Sequence, residues 1–339
     1  MAAARTQQRQ MAWGGRQRAL DGANRRHLFL PISILTKRRA TFGRENACAR
    51  LARVMTNDLD GKVILLTGAT EGIGKAAARE FAGRGATLTL VARNQEKGER
   101  LVSELTGESG NQRIELLRGD LSSQEEIRAV AKAFREKHSH LHVLANNAGA
   151  VFAKRVLSKD GFEMTFALNH LAYFLLTHEL LDSLKGTPGA RIVNTASDAH
   201  NNGRIDLATI ATRPNKKAGM RAYSDSKLAN ILFTRELARR LSDTNVTANC
   251  FHPGFIKSGF GANNPGLFGG SIQILSSLFG RTPERGAETL VFLATSAEAA
   301  SFSGEYFYQC KVGKISASAR DEALAKELWA LSERLCNVS

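Results

Sequence analysis

Cysteine is scarce in this 339-residue chain: four residues (Cys48, Cys250, Cys310 and Cys336), widely spaced and with no C-x-x-C pair. That pattern argues against a disulfide framework or a cysteine-based zinc site, and fits core or idle thiols in a reducing compartment. Long apolar runs are also missing. The run at 29–35 falls far short of the ~20 residues a membrane-spanning helix needs. Acidic residues are nearly absent from the first 54 positions, which hold 12 Lys/Arg and only Asp21 and Glu45. Residues 55–339 carry 35 basic and 30 acidic residues, so most of the net charge of +15 sits in the N-terminal segment. The rest is only mildly basic, which removes most support for nucleic-acid binding. Three readings fit residues 1–54: an organelle transit peptide, a disordered basic arm, or sequence upstream of a true start at Met55. The first would place the protein in mitochondria and the others leave it cytoplasmic. Mass spectrometry of the native N-terminus distinguishes them.

Repeats, low-complexity linkers and hinge-like Pro/Gly stretches are absent from 61–339, so 55–339 is expected to form one domain. Short apolar runs there alternate with amphipathic stretches, which predicts an α/β fold with a parallel sheet covered on both faces. Strands are expected at 63–67, 87–92, 114–119, 141–145, 191–195, 246–251 and 305–308. Helices are expected near 73–84, 95–105, 123–138, 161–184, 221–241, 283–295 and 319–334.

After the first strand comes Thr67-Gly68-Ala69-Thr70-Glu71-Gly72-Ile73-Gly74. Glycines in a strand-to-helix turn bring backbone N–H groups close to a pyrophosphate, and the positive end of the helix favours the anion. The spacing is G-x-x-x-G-x-G rather than the usual dinucleotide fingerprint. A glycine-rich turn without ligand also has this form, and only the other loops can decide. The second strand ends in Ala92-Arg93-Asn94, with no acid to bind a ribose 2′-hydroxyl. Arg93 suits a 2′-phosphate instead, although Glu71 argues mildly the other way. NADP(H) is therefore the expected cofactor, ahead of NAD(H).

Tyr223 and Lys227 stand four residues apart in an expected helix, on one face. A fixed cation near a phenol favours phenolate, which would let Tyr223 exchange a proton with a substrate oxygen at neutral pH. Y-x-x-x-K alone occurs by chance in many proteins. It gains meaning only with the rest of a dehydrogenase site.

Taken together, these pieces resemble the short-chain dehydrogenase/reductase family, and within it the retinol-dehydrogenase-like branch, over about residues 58–336. The resemblance rests on Thr67 to Gly74, Asp120-Leu121, Asn146-Asn147-Ala148-Gly149, Asn169-His170-Leu171, and Arg191 through Ser197. It continues with Tyr223 to Lys227, His252-Pro253-Gly254, and a C-terminal portion containing Ser303-Gly304-Glu305-Tyr306-Phe307 and Leu328-Trp329. It implies a doubly wound Rossmann domain with a seven-stranded parallel sheet in the order 3-2-1-4-5-6-7. It assigns catalysis to Asn169, Ser197, Tyr223 and Lys227, with Asn169 expected to hold a helix kink and a water that links Lys227 to solvent. Cofactor binding falls to Gly68, Thr70, Gly72, Ile73, Gly74, Arg93, Asp120, Leu121, Asn147, Ala148 and Gly149, together with Tyr223 and Lys227. Pro253, Gly254, Ile256 and Ser258 would border the nicotinamide, with Ser258 where the family usually has Thr. No metal is expected: His200 and His252 lack carboxylate or cysteine partners and read as loop or core residues. Ser197 lacks the G-x-S-x-G elbow of a serine hydrolase.

Residues 259–281 are nearly uncharged and rich in Leu, Ile and Phe, at the place where the family carries a substrate lid. An apolar lid suggests a hydrophobic carbonyl or alcohol as substrate and leaves a peripheral membrane contact open; plain packing on the domain is the competing reading. The resemblance also admits a homodimer. The alternative function is a non-catalytic NADP-binding scaffold or redox sensor, which should have lost Ser197, Tyr223 or Lys227.

Overall fold

The computed structural model describes residues 58–214, 218–256 and 280–338. The basic N-terminal segment, Met55, Ser258 and nearly all of the expected lid lie outside the described residues.

The strands are β1 Val63–Thr67, β2 Thr87–Ala92, β3 Ile114–Arg118, β4 Val143–Asn146, β5 Arg191–Thr195, β6 Thr247–His252, β7 Tyr306–Tyr308 and β8 Lys311–Val312. They form one sheet in the order β3-β2-β1-β4-β5-β6-β7-β8. All pairings are parallel except β7 with β8. The expected seven-stranded order is thus present, and the count is corrected to eight. The extra strand is a two-residue antiparallel return after Gln309 and Cys310, both at positive φ. It is too short to leave a pattern in the sequence.

The helices are α1 Gly72–Gly83, α2 Gln95–Ser109, α3 Gln124–Lys137, α4 Met164–Phe166, α5 Ala172–Glu179, α6 Leu181–Lys185, α7 Met220–Arg240, α8 Pro283–Thr295 and α9 Glu322–Cys336. Two hydrophobic cores form, one on each face of the sheet. The first holds Ala77, Ala78 and Phe81 of α1, Leu101 of α2 and Leu290 of α8. The second holds Phe134 of α3, Leu175 of α5, Leu228 and Leu232 of α7, and Leu328 of α9. Strands buried on both sides read as continuous apolar runs, as in β1, where Ile64, Leu65 and Leu66 are all buried.

The single helix expected at 161–184 is broken. Residues Ala167–Leu171 form a π-turn between α4 and α5, and the chain bends again at Leu180 before α6. A one-turn π insertion is a recognised source of a kink and often marks a functional position. Among the cysteines, Cys250 and Cys336 are buried free thiols. Cys310 departs from the idle-thiol expectation, being disulfide-bonded. No helix among the described residues is long and apolar enough to cross a membrane.

Candidate active site

A cleft of about 560 Å³ opens where the chain leaves the C-terminal ends of β1, β4, β5 and β6. It lies at the point where the strand order reverses between β1 and β4, the place where open α/β sheets take ligands. Gly68, Gly72, Ile73 and Gly74 line one end, with Asn147, Ala148 and Gly149 beside them. Ser197, Tyr223 and Lys227 line the other, with Pro253, Gly254 and Ile256 across from them. Asn169 stands behind Lys227. Thr70, Arg93, Asp120 and Leu121 are not part of the lining; Arg93, Asp120 and Leu121 follow the ends of β2 and β3, beyond the glycine turn.

Two glycines set the shape of the turn. Gly68 has φ +66°, and a Cβ there would sit 2.7 Å from the Ala148 Cα. A Cβ on Gly74 would meet the Gly68 carbonyl at 2.1 Å, so α1 can press against the turn only with glycine there. Asn147 ties the parts together: its Nδ2 donates to the carbonyls of Thr67 (3.1 Å) and Gly68 (3.2 Å). The Thr67 hydroxyl accepts from the amides of Asn147 and Ala148. Glu71 occupies the N-cap position of α1 in extended backbone without capping the helix through its side chain. Among the described residues no side chain accepts from the amides of Gly72, Ile73 and Gly74, and these three residues line the cleft. That donor set fits the pyrophosphate of a nicotinamide dinucleotide.

The π-turn gives Asn169 its position. Its Oδ1 accepts from the Ala150 amide at 2.9 Å, and its Nδ2 donates to the Ala150 carbonyl and to Ser226 Oγ, both at 3.0 Å. It thereby holds the loop after β4 against α7, close to Lys227. Lys227 is only 2 % exposed, and its Nζ donates to the Thr195 carbonyl at 2.9 Å. The ammonium lies 5.6 Å from the centre of the Tyr223 ring. Among the described residues no carboxylate pairs with it.

The electrostatics correct the expectation of an acidified phenol. Burial pushes the Tyr223 phenol up to about 12, against the opposing effect of a hydrogen bond with Ser197. Burial likewise brings Lys227 down to about 7. Proximity at i and i+4 implied mutual stabilisation of phenolate and ammonium. The removal of each group from water is instead the largest influence on it. Tyr223 is thus held in its protonated form at neutral pH.

Sequence reading missed two positions that place Ser197. Gly203 lets the turn after Ser197 lie on α7: a Cβ there would meet the Leu228 Cβ at 2.8 Å and the Ser224 carbonyl at 2.9 Å. His200, fully buried, donates from Nδ1 to the Ser197 carbonyl (2.8 Å) and accepts at Nε2 from the Ser316 amide (3.3 Å). Those two bonds require the neutral Nδ1–H tautomer, and burial lowers the imidazole's pKa in keeping with it. His200→Phe should keep the ring packing on Tyr306 but release the serine, lowering kcat by up to about a hundredfold. His200→Asn, which can restore a donor near Nδ1, should retain more activity. Equal kcat for wild type and the Phe variant would show that Ser197 is placed without the imidazole.

A switch-point cleft with an uncapped glycine turn at one end and a Ser–Tyr–Lys group at the other defines a dinucleotide-binding oxidoreductase. Residues 62–265 match the short chain dehydrogenase family profile. The chain is 44% identical over 277 residues to Retinol dehydrogenase 11 of Homo sapiens, covering 82% of this chain and 86% of the relative. A crystal structure of an uncharacterized protein from Mycobacterium paratuberculosis superposes with TM-score 0.68 at 30% identity, over 83% of this chain and 95% of that one. A short chain dehydrogenase from Burkholderia cenocepacia in complex with NADP superposes with TM-score 0.58 at 27% identity, over 74% and 96%. The chain belongs to the short-chain dehydrogenase/reductase family, in its retinol-dehydrogenase-like branch. It is an NAD(P)-dependent oxidoreductase acting on alcohol and carbonyl groups.

Proposed function

We propose that this protein uses NADP(H) to interconvert a hydrophobic aldehyde or ketone and its alcohol. The observation that carries this reading is the hydrogen-bonded pair of Ser197 and Tyr223 in the cleft, with Lys227 buried behind it. Bound NADP(H) supplies the hydride, a chemistry no side chain offers. The glycine turn of Gly68, Gly72, Ile73 and Gly74 holds the pyrophosphate, while Asn147, Ala148 and Gly149 form the adjoining wall. Asp120 and Leu121 border the adenine, and Pro253, Gly254, Ile256 and Ser258 the nicotinamide. Ser197 Oγ holds the substrate's carbonyl oxygen and Tyr223 Oη gives it a proton. Lys227 holds the ribose and supplies positive charge beside the phenol. Asn169 fixes the backbone around Lys227 and connects it towards solvent. A phenol kept protonated at neutral pH is in the form that carbonyl reduction requires.

Arg93 supports the choice of NADP(H). It is exposed at the end of β2 and makes no ion pair or hydrogen bond among the described residues. A neighbouring family structure holds NADP. Arg93→Ala should raise the KM for NADPH by about tenfold or more, the worth of one charge-assisted hydrogen bond, and leave that for NADH nearly unchanged. Steady-state kinetics with both cofactors decide this, and an equal rise in both would remove Arg93 from the 2′-phosphate.

An apolar substrate fits the rim. Met220 and Phe255 both line the cleft and both are 45 % exposed. Ile256, three residues before the 259–281 segment, forms a bridge with Arg281, the segment's last residue; we take this segment as the lid of a 55–339 catalytic domain. The relative's name specifies retinol, which makes a retinoid one candidate among hydrophobic carbonyls. NADPH oxidation assayed against a panel of apolar aldehydes and ketones tests the reading. Tight NADPH binding without turnover of any of them would favour a cofactor-binding scaffold.

A further inference from the structure

The N-cap position of α1 carries Glu71, a residue whose carboxylate could itself occupy the amides meant for a phosphate. Its backbone has the extended conformation of a capping residue (φ −147°, ψ 160°), yet its side chain makes no cap hydrogen bond. The same chain shows what a glutamate in this position can do. Glu163, at the N-cap of α4, accepts from the amides of Thr165 (3.1 Å) and Phe166 (2.9 Å), the second and third helical residues. The equivalent amides for Glu71 belong to Ile73 and Gly74, both in the cleft lining. A carboxylate there would satisfy donors that otherwise await the ligand, and would repel its anion.

Lys97 holds Glu71 away. Its Nζ lies 2.7 Å from Glu71 Oε1, and its place in the first turn of α2 is fixed because Asn94 caps that helix on the Lys97 amide at 2.8 Å. Both side chains are about half exposed (52 % and 55 %), so the pair adds little to folding stability. Its effect lies in where it keeps a mobile negative charge.

We propose that Lys97 is a positioning residue for cofactor binding, a latch that draws the Glu71 carboxylate off the first-turn amides of α1 and so keeps the pyrophosphate site open. The proposal rests on the cofactor reading above but not on the choice between NADP(H) and NAD(H), since both carry the pyrophosphate. It differs from a direct role of Lys97 at the 2′-phosphate, which would act on NADPH alone.

The test is dissociation constants for NADPH, NADH and ADP, measured by fluorescence or calorimetric titration on wild type, Lys97→Met, Glu71→Ala and the double variant. Lys97→Met should weaken all three ligands by about three- to tenfold, the scale of a lost cap competitor. Glu71→Ala should bind at least as tightly as wild type, and the double variant should match Glu71→Ala rather than Lys97→Met. Unchanged melting temperatures would confirm that the surface changes leave the fold intact. Weakening confined to NADPH, or a double variant as weak as Lys97→Met, would overturn the latch and make Lys97 a direct ligand. Wild-type affinity for NADPH and NADH in Lys97→Met would overturn it as well. If the wild type bound neither dinucleotide, the cofactor reading itself would fail and the latch with it.

Discussion

Tyr223→Phe should abolish nearly all carbonyl reduction while leaving cofactor affinity within a few-fold of wild type. The substitution removes one oxygen atom and keeps the ring against the Lys227 ammonium, 5.6 Å from its centre. What is lost is the proton donor and its hydrogen bond with Ser197. A positioned general acid contributes about 10²–10⁴-fold, and kcat should fall by that amount. Phenylalanine also leaves Ser197 to hold the carbonyl oxygen alone, so KM for the substrate should change far less than kcat. Turnover within tenfold of wild type would mean that the proton comes from elsewhere.

Lys227→Met should give the opposite trade: an inactive protein that is more stable. Lys227 is almost fully buried, donates among the described residues to the Thr195 carbonyl alone, and is brought by burial from the usual 10.5 down to about 7. Below pH 7 it is charged in both the folded and unfolded chains, and the folded state bears the whole desolvation cost. Between pH 7 and 10.5 the unfolded chain binds a proton that the folded chain does not, so stability rises with pH through that window. At 1.36 kcal/mol per pKa unit, less the hydrogen bond to Thr195, methionine should gain roughly 2 kcal/mol at pH 6. The gain should fall as pH rises above 7 and reverse before pH 10. Thermal melts of both proteins across this range read it directly. A lower Tm for the variant at pH 6 would show that the buried ammonium is better compensated than its surroundings indicate. Retaining a lysine that weakens the fold is what a site under functional demand should do.

Much of the fold was legible because the residues that build it leave strong periodic marks. Ile64–Leu66 and Leu88–Leu90 read as strands buried on both faces, and α8 begins and ends where Pro283 and Thr295 were expected to bound it. The strand order came from the motif resemblance rather than from periodicity. The break at Ala167–Leu171 left no mark in the periodicity, because the surrounding stretch is buried on all sides and has no face whose interruption would show; only the resemblance implied a kink there, at Asn169. β8 was hidden by its length. In the site, the glycine turn and the Tyr223 and Lys227 pair stood out as residue types at fixed spacings, whereas Ser197 came only from the family resemblance. The direction of the pKa shifts did not, since four-residue spacing reports that two groups are near each other and says nothing of how far both are from water. His200 was read as a loop or core histidine. It is a core histidine, but its use depends on Ser316, 116 residues away, and no local pattern announces such a contact. Glu71 read in the sequence as a mild argument against NADP(H), and nothing local showed that its carboxylate pairs with Lys97.

The central claim is hydride transfer to a carbonyl carbon with a proton delivered to the oxygen. It is tested most directly by incubating the wild-type protein with NADPH dideuterated at C4 of the nicotinamide and an apolar aldehyde, then analysing the alcohol by mass spectrometry and NMR. The account predicts one deuterium on the carbinol carbon of every product molecule, and a hydroxyl proton that comes from solvent. An alcohol without deuterium on that carbon, or no alcohol from a protein that binds NADPH across a panel of apolar aldehydes and ketones, would contradict it.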